Sequence, residues 1–135
     1  MLPQLAEFRD TVLAGARIRP GDVVLDVGCG DGLVGVGALD LVGDDGRVIF
    51  SDVSEELLDH CRALTAELGL AARCDFVRTA LPDLDGIDTA SVDVVTTRSV
   101  LIYVADKAGS FAAMHRVLRP GGRLSIFEPG SPRSD

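Results

Sequence analysis

The sequence predicts an α/β fold, a three-layer, doubly wound parallel sheet with helices on both faces. Two observations carry that prediction. Short runs rich in Val, Leu, Ile and Phe, at 23–27, 47–51 and 92–97, alternate with stretches whose apolar residues recur at helical spacing. Strands buried on both faces read this way, and the alternation is what right-handed strand–helix–strand crossovers produce. The first apolar run also turns directly through alternate glycines into the next helical stretch, the arrangement by which such folds lay bare backbone against a ligand.

From the N-terminus, Leu5, Phe8, Val12 and Leu13 share one side of a helix expected over 4–18, which Pro20-Gly21 stops. A strand over 23–27 leads through the Gly28 to Gly32 loop into a helix of small residues ending near Gly43. Asp44-Asp45-Gly46 turns the chain into a second strand over 47–51, and Ser54 is placed to cap the helix that starts at Glu55. Leu57, Leu58, Cys61, Leu64 and Leu68 form the apolar stripe of that helix, Glu55 and Glu56 suit its dipole, and Gly69 closes it. A third strand is expected over 73–77, a loop or broken helix over 80–90 and a fourth strand over 92–97. Phe111, Met114, His115 and Leu118 are expected on the inner face of a further helix, which ends near Arg119 because Pro120 disfavours helical geometry before it. A fifth strand over 123–127 completes the sheet, and 130–135 reads as a disordered tail.

At 135 residues, 47% hydrophobic and 25% charged, the chain fits one globular domain, placed at 1–129. A net charge of −8 provides no basic stripe to neutralise phosphates, so no nucleic acid partner is expected. Cys29, Cys61 and Cys74 are widely spaced and lack a paired zinc or redox pattern; reduced thiols in a cytoplasmic protein are the plain reading. No segment has the pattern of a secretory signal or the length of a membrane span.

The richest segment is Val24-Leu25-Asp26-Val27-Gly28-Cys29-Gly30-Asp31-Gly32. An acid on a buried strand is costly without a partner, and here it precedes a loop of alternate glycines. The segment resembles the first signature of the class I S-adenosylmethionine-dependent methyltransferases. That resemblance implies a Rossmann-like sheet of order 3-2-1-4-5, with Gly28, Cys29, Gly30 and Gly32 against the methionine and ribose of S-adenosyl-L-methionine and Asp26 reaching its amino group. The alternative for Asp26 is that it only binds the loop's own amides. Gly30-Asp31-Gly32-Leu33-Val34-Gly35 also satisfies G-x-G-x-x-G literally, which keeps a nicotinamide-dependent oxidoreductase as a rival.

Asp52 follows the second strand directly, where doubly wound folds place an acid for the two ribose hydroxyls; capping ahead of Ser54 is its other reading. The resemblance adds Val53 beside it. It also puts Thr79 and Ala80 at the adenine, with Thr79 where the family often has an Asp. Residues 91–104 resemble the family's fourth motif, which makes Thr97, Arg98 and Ser99 the floor of the reaction site. Arg98 could grip an anionic group of the substrate or pair with a surface aspartate. Residues 118–124 resemble a further, structural family motif. His60 and His115 read as ordinary helix residues, so no catalytic side chain and no metal is assigned.

The resemblance implies in-line methyl transfer to an acceptor that it does not identify; with no basic surface and no added recognition domain, a small molecule is the expected acceptor. It also implies that the sheet lacks the family's usual sixth and seventh strands, leaving the edge of the fifth strand for a homodimer. A non-catalytic cofactor-binding module that needs a partner chain is the alternative this raises.

Overall fold

In the computed structural model the described residues are 3–98 and 104–127. Five strands, β1 (Val23–Val27), β2 (Arg47–Asp52), β3 (Cys74–Arg78), β4 (Val92–Arg98) and β5 (Leu118–Phe127), pair in the order β3-β2-β1-β4-β5. Every pairing is parallel, as the apolar runs require. The expected roles of Ser99, of the side chains of Leu5, Phe8 and Arg98, and of the 130–135 tail fall outside the described residues.

Among the described residues four α-helices flank the sheet: α1 (Pro3–Ala16), α2 (Leu33–Val42), α3 (Glu55–Glu67) and α4 (Lys107–Val117). On one face Val12, Leu13 and Ala16 of α1, Val34, Ala38, Leu39 and Val42 of α2, and Leu58 and Cys61 of α3 pack on Val24, Val48, Phe50 and Val94. Close approach there depends on Gly35: a β-carbon at that position would collide with the buried Phe50 ring. On the other face α4 and the segment after β3 cover Leu25, Val27 and Val95.

That segment, expected as a loop or broken helix over 80–90, is a run of turns that does the work of a helix. Leu81, Leu84 and Ile87 point into the second core. Arg116 of α4 donates to Ile87 O at 2.9 Å and Leu84 O at 3.1 Å, which satisfies the carbonyls of two residues whose side chains are buried.

Helix starts follow local chemistry. Ser54 Oγ accepts from Leu57 N at 3.2 Å, with Glu55 and Glu56 in the first turn of α3. Asp106 caps α4 by accepting from Gly109 N at 2.8 Å. The inner stripe of α4 differs from the expected one: Ser110, Ala113, Met114 and Val117 are buried, Phe111 is 45% exposed, and His115 is exposed. The stripe can run through a serine because Ser110 Oγ donates to Asp106 O at 2.8 Å, leaving no unmet polar group. In α3 Thr65 is likewise buried, its hydroxyl donating to Cys61 O, while Leu68 is half exposed beyond the last turn.

The fifth strand starts earlier than expected. Leu118 lies opposite Val92 and Arg123 opposite Val94, so residues 119–122 bulge out across from Asp93. Gly121, at φ 82°, makes that bulge feasible, and Arg119 closes it with an ion pair to Asp93 at 3.1 Å. Among the described residues β5 forms one edge of the sheet. No helix among them is long and apolar enough to cross a membrane.

Candidate functional site

Parallel pairing sets the ends of β1, β2 and β4 side by side. Val27 lies opposite Ser51 on one flank and Thr97 on the other, and Asp52 lies opposite Arg78 of β3. The candidate residues at the ends of four strands thus meet along one rim of the sheet, the rim at which open α/β sheets bind ligands.

The glycine loop after β1 is held from below by β2. Cys29 N donates to Ser51 O at 2.8 Å, and Ser51 Oγ donates to Asp26 O at 2.8 Å. Gly30 N donates to Asp52 Oδ2 at 3.0 Å, while Asp52 Oδ1 accepts from Ser54 N at 3.0 Å. Asp52 therefore does what the capping alternative supposed, at the turn into α3, and it also anchors the loop. Gly28, Gly30 and Gly32 take φ of 69°, 54° and 90°, a region that L side chains adopt at a cost. A β-carbon on Gly30 would meet nothing within 4 Å. Bare backbone with open space before it, backed by a carboxylate, is a cradle in which a ligand can lie directly on the main chain.

Asp26 is 3% exposed. Its Oδ1 accepts from Thr96 Oγ1 at 2.9 Å, and Thr96 is its register partner across β1 and β4. A hydroxyl donor at that distance lowers the cost of keeping a carboxylate on a buried strand. The reading that Asp26 binds the loop's amides missed this partner, although parallel pairing of β1 with β4 would have placed a Thr of the 92–97 run beside it.

Two thiols lie behind the loop. Cys29 Sγ and Cys61 Sγ are 3.9 Å apart, and Cys61 Sγ also donates to Gly30 O at 3.4 Å. The hydrogen bond with Cys61, burial, and the nearby Asp26 and Asp52 carboxylates push the Cys29 thiol up. Cys61 carried no signal in sequence beyond its place in an apolar stripe.

The remaining expected residues are arranged around this centre. Val53 is 61% exposed next to Asp52, and its carbonyl accepts from Arg78 Nε at 3.0 Å. Thr79 is tied to the rim by its amide, which donates to Asp52 O at 3.2 Å, and Ala80 O accepts from Leu84 N at 2.8 Å at the start of the turns. Arg98 ends β4. Thr97 is buried, and among the described residues its hydroxyl oxygen has no hydrogen-bond partner. A groove lined by Arg9, Arg17 and Asp40 among others is built from α1, the turn that follows it and α2, and from none of the strand ends. Among the described residues no group of three or more His, Cys, Asp or Glu side chains could hold a metal ion.

A family model described as a methyltransferase domain matches residues 24–122. The protein of Marinomonas sp. (strain MWYL1) named ubiquinone/menaquinone biosynthesis C-methyltransferase UbiE is 38% identical over 126 residues, 91% of this chain and 49% of that protein. An uncharacterized 37.1 kDa protein in transposon TN4556 of Streptomyces fradiae is 40% identical over 124 residues, 90% of this chain and 34% of that protein. The chain thus spans about half, or less, of the length of these relatives. A crystal structure of a SAM-dependent methyltransferase from Aquifex aeolicus superposes with a TM-score of 0.83 at 23% identity, covering 99% of this chain and 72% of that one; at that identity the likeness bears on the fold.

These findings bear on the nicotinamide rival. Its literal G-x-G-x-x-G places Gly35 inside α2 against Phe50, a close helix–sheet contact that both readings share, so the family match decides between them. That match begins within β1, runs through the glycine loop and reaches the bulge of β5. The chain belongs to the methyltransferase-domain family and has the Rossmann-like fold of its class I, S-adenosylmethionine-dependent members.

Proposed function

We propose that this chain binds S-adenosylmethionine over the ends of β1 and β2 and serves methyl transfer to a small-molecule acceptor. The observation that carries the reading is the Gly30 backbone, open on its ligand side and fixed on the other by Asp52. When bound, the cofactor supplies an electrophilic methyl group on a positively charged sulfur.

The chain's own residues then have separable tasks. A carboxylate offers about four lone-pair positions, of which the Gly30 and Ser54 amides use two on Asp52, so ribose hydroxyls can donate to the rest. Asp26, steadied by Thr96, provides negative charge for an ammonium group. Val53 presents an exposed apolar face beside Asp52, suited to a purine ring, with Thr79 and Ala80 across the rim. Arg98, the last residue of β4, is assigned to the acceptor end of the site, together with Ser99 on the ground of the family resemblance alone. Transfer in line from a sulfonium asks the protein to align the partners and exclude water, which agrees with a site assigned no acid–base pair.

A small-molecule acceptor is supported by the relative named as a biosynthetic C-methyltransferase and by the net charge of −8, which disfavours nucleic acid. The three free cysteines favour a cytoplasmic setting. Pairing of the β5 edge with a second copy is proposed on the same footing; sizing chromatography is expected to give a dimer, and a monomer at high concentration would refute it.

Isothermal titration with S-adenosylhomocysteine tests the main reading. One molecule is expected to bind per chain. Asp52→Asn removes an anionic acceptor worth about 1.5–3 kcal/mol and weakens binding by about 10- to 100-fold. Asp26→Asn is expected to weaken it as well, with both variants folded by circular dichroism. No heat from the folded parent protein contradicts the proposal.

Thr97 gives a stability test. A buried hydroxyl without a partner costs about 1–3 kcal/mol, so Thr97→Val is expected to raise the urea midpoint, with a gain of about 1 kcal/mol. A lower midpoint would mean that the hydroxyl is bonded in solution.

A further inference from the structure

We infer that Cys29 and Cys61 form a modification site, an oxidisable dithiol whose disulfide distorts the glycine loop and weakens cofactor binding. The inference rests on the reading that Gly28 to Gly32 hold the cofactor.

The pair is set apart by position. Its sulfurs are 3.9 Å from each other although the residues are 32 apart in sequence, one in the loop and one on α3. The remaining cysteine, Cys74, begins β3 at the opposite rim and is bonded to Leu70 O at 3.4 Å. The bonds that Ser51 and Asp52 make to the loop go to the backbone amides of Cys29 and Gly30 and use neither thiol, and methyl transfer gives the two sulfurs no chemical step.

Disulfide sulfurs stand about 2.05 Å apart, so closure must remove almost half of the present gap. Cys61 sits on a helix whose neighbouring Leu58 is fully buried in the core. Cys29 lies between two glycines at positive φ. The loop is therefore the part that yields, drawn toward α3. Movement of Cys29 displaces Gly30, which loses the Cys61 bond to its carbonyl and strains the 3.0 Å bond from its amide to Asp52. Both are contacts that shape the cradle.

The oxidant required is a small peroxide. One sulfur takes an oxygen atom from hydrogen peroxide to become a sulfenic acid, with release of the first water. The second sulfur displaces that hydroxyl as the second water, the S–S bond forms, and the two thiol protons leave in the waters. Peroxide is reduced by the two electrons that the sulfurs give up. Cys29 retains 4% exposure, and a bound cofactor would cover the loop, so ligand is expected to slow the reaction.

The test treats the full chain with hydrogen peroxide, removes the peroxide, alkylates free thiols and measures intact mass, a peptide map and affinity for S-adenosylhomocysteine. Two of the three thiols are expected to resist alkylation, with a mapped Cys29–Cys61 bridge. Affinity is expected to fall by about tenfold or more, the worth of one charge-assisted hydrogen bond, and to return with dithiothreitol. Cys61→Ala should bind equally before and after peroxide, and Cys74→Ala should still lose affinity. Three alkylated thiols after treatment, or a mapped bridge with unchanged affinity, overturn the inference. A reduced protein that binds no S-adenosylhomocysteine overturns the cofactor site and the switch together, while the mass measurement separately decides whether the bridge forms.

Discussion

The site depends on one hydrogen bond, from the Gly30 amide to the Asp52 carboxylate. It joins the loop after β1 to the end of β2 and, with the bond from Cys29 N to Ser51 O, holds Gly30 in the conformation in which its backbone faces open space. The same carboxylate holds the turn into α3 through Ser54, and Ser54 in turn caps that helix. Strand end, loop and helix start thus share one charged group. This economy suits a binding site, because a ribose that donates to Asp52 would meet an acceptor whose orientation is already fixed by two backbone amides.

Much of this was legible in the sequence because the informative residues are special in backbone terms. Gly28, Gly30 and Gly32 occupy positive φ, and few other residues could. Apolar runs of strand length, separated by helical spacing, leave few alternatives to a parallel sheet, and β1 to β4 appear within one residue of expectation. The inner stripe of α4 was misplaced because hydrophobicity is a poor guide where a buried serine bonds its own helix: Ser110 is enclosed and Phe111 exposed. The early start of β5 was hidden by Pro120-Gly121-Gly122, which reads as a turn between elements and in fact forms a bulge within one.

Contacts across the sheet were the least legible. Thr96 beside Asp26 could be derived once β1 and β4 are paired, since register alone brings them together. Cys61 beside Cys29 could not, because its position depends on how α3 rotates and settles over the loop. Periodicity assigns such a residue to a stripe and says nothing of its neighbour. Asp52 had two separate readings, ligand acid or turn former, and the structure makes them compatible: its two amide bonds leave acceptor capacity in hand.

The central claim is that bare backbone at Gly30, held by Asp52, forms the floor on which the cofactor rests. A crystal structure of the chain with S-adenosylhomocysteine tests it most directly. The account predicts ligand density along Gly28 to Gly32, ribose hydroxyls on Asp52, and the Gly30 amide still bonded to the same carboxylate. Ligand bound elsewhere, or an Asp52 side chain turned away from both loop and ribose, would contradict it.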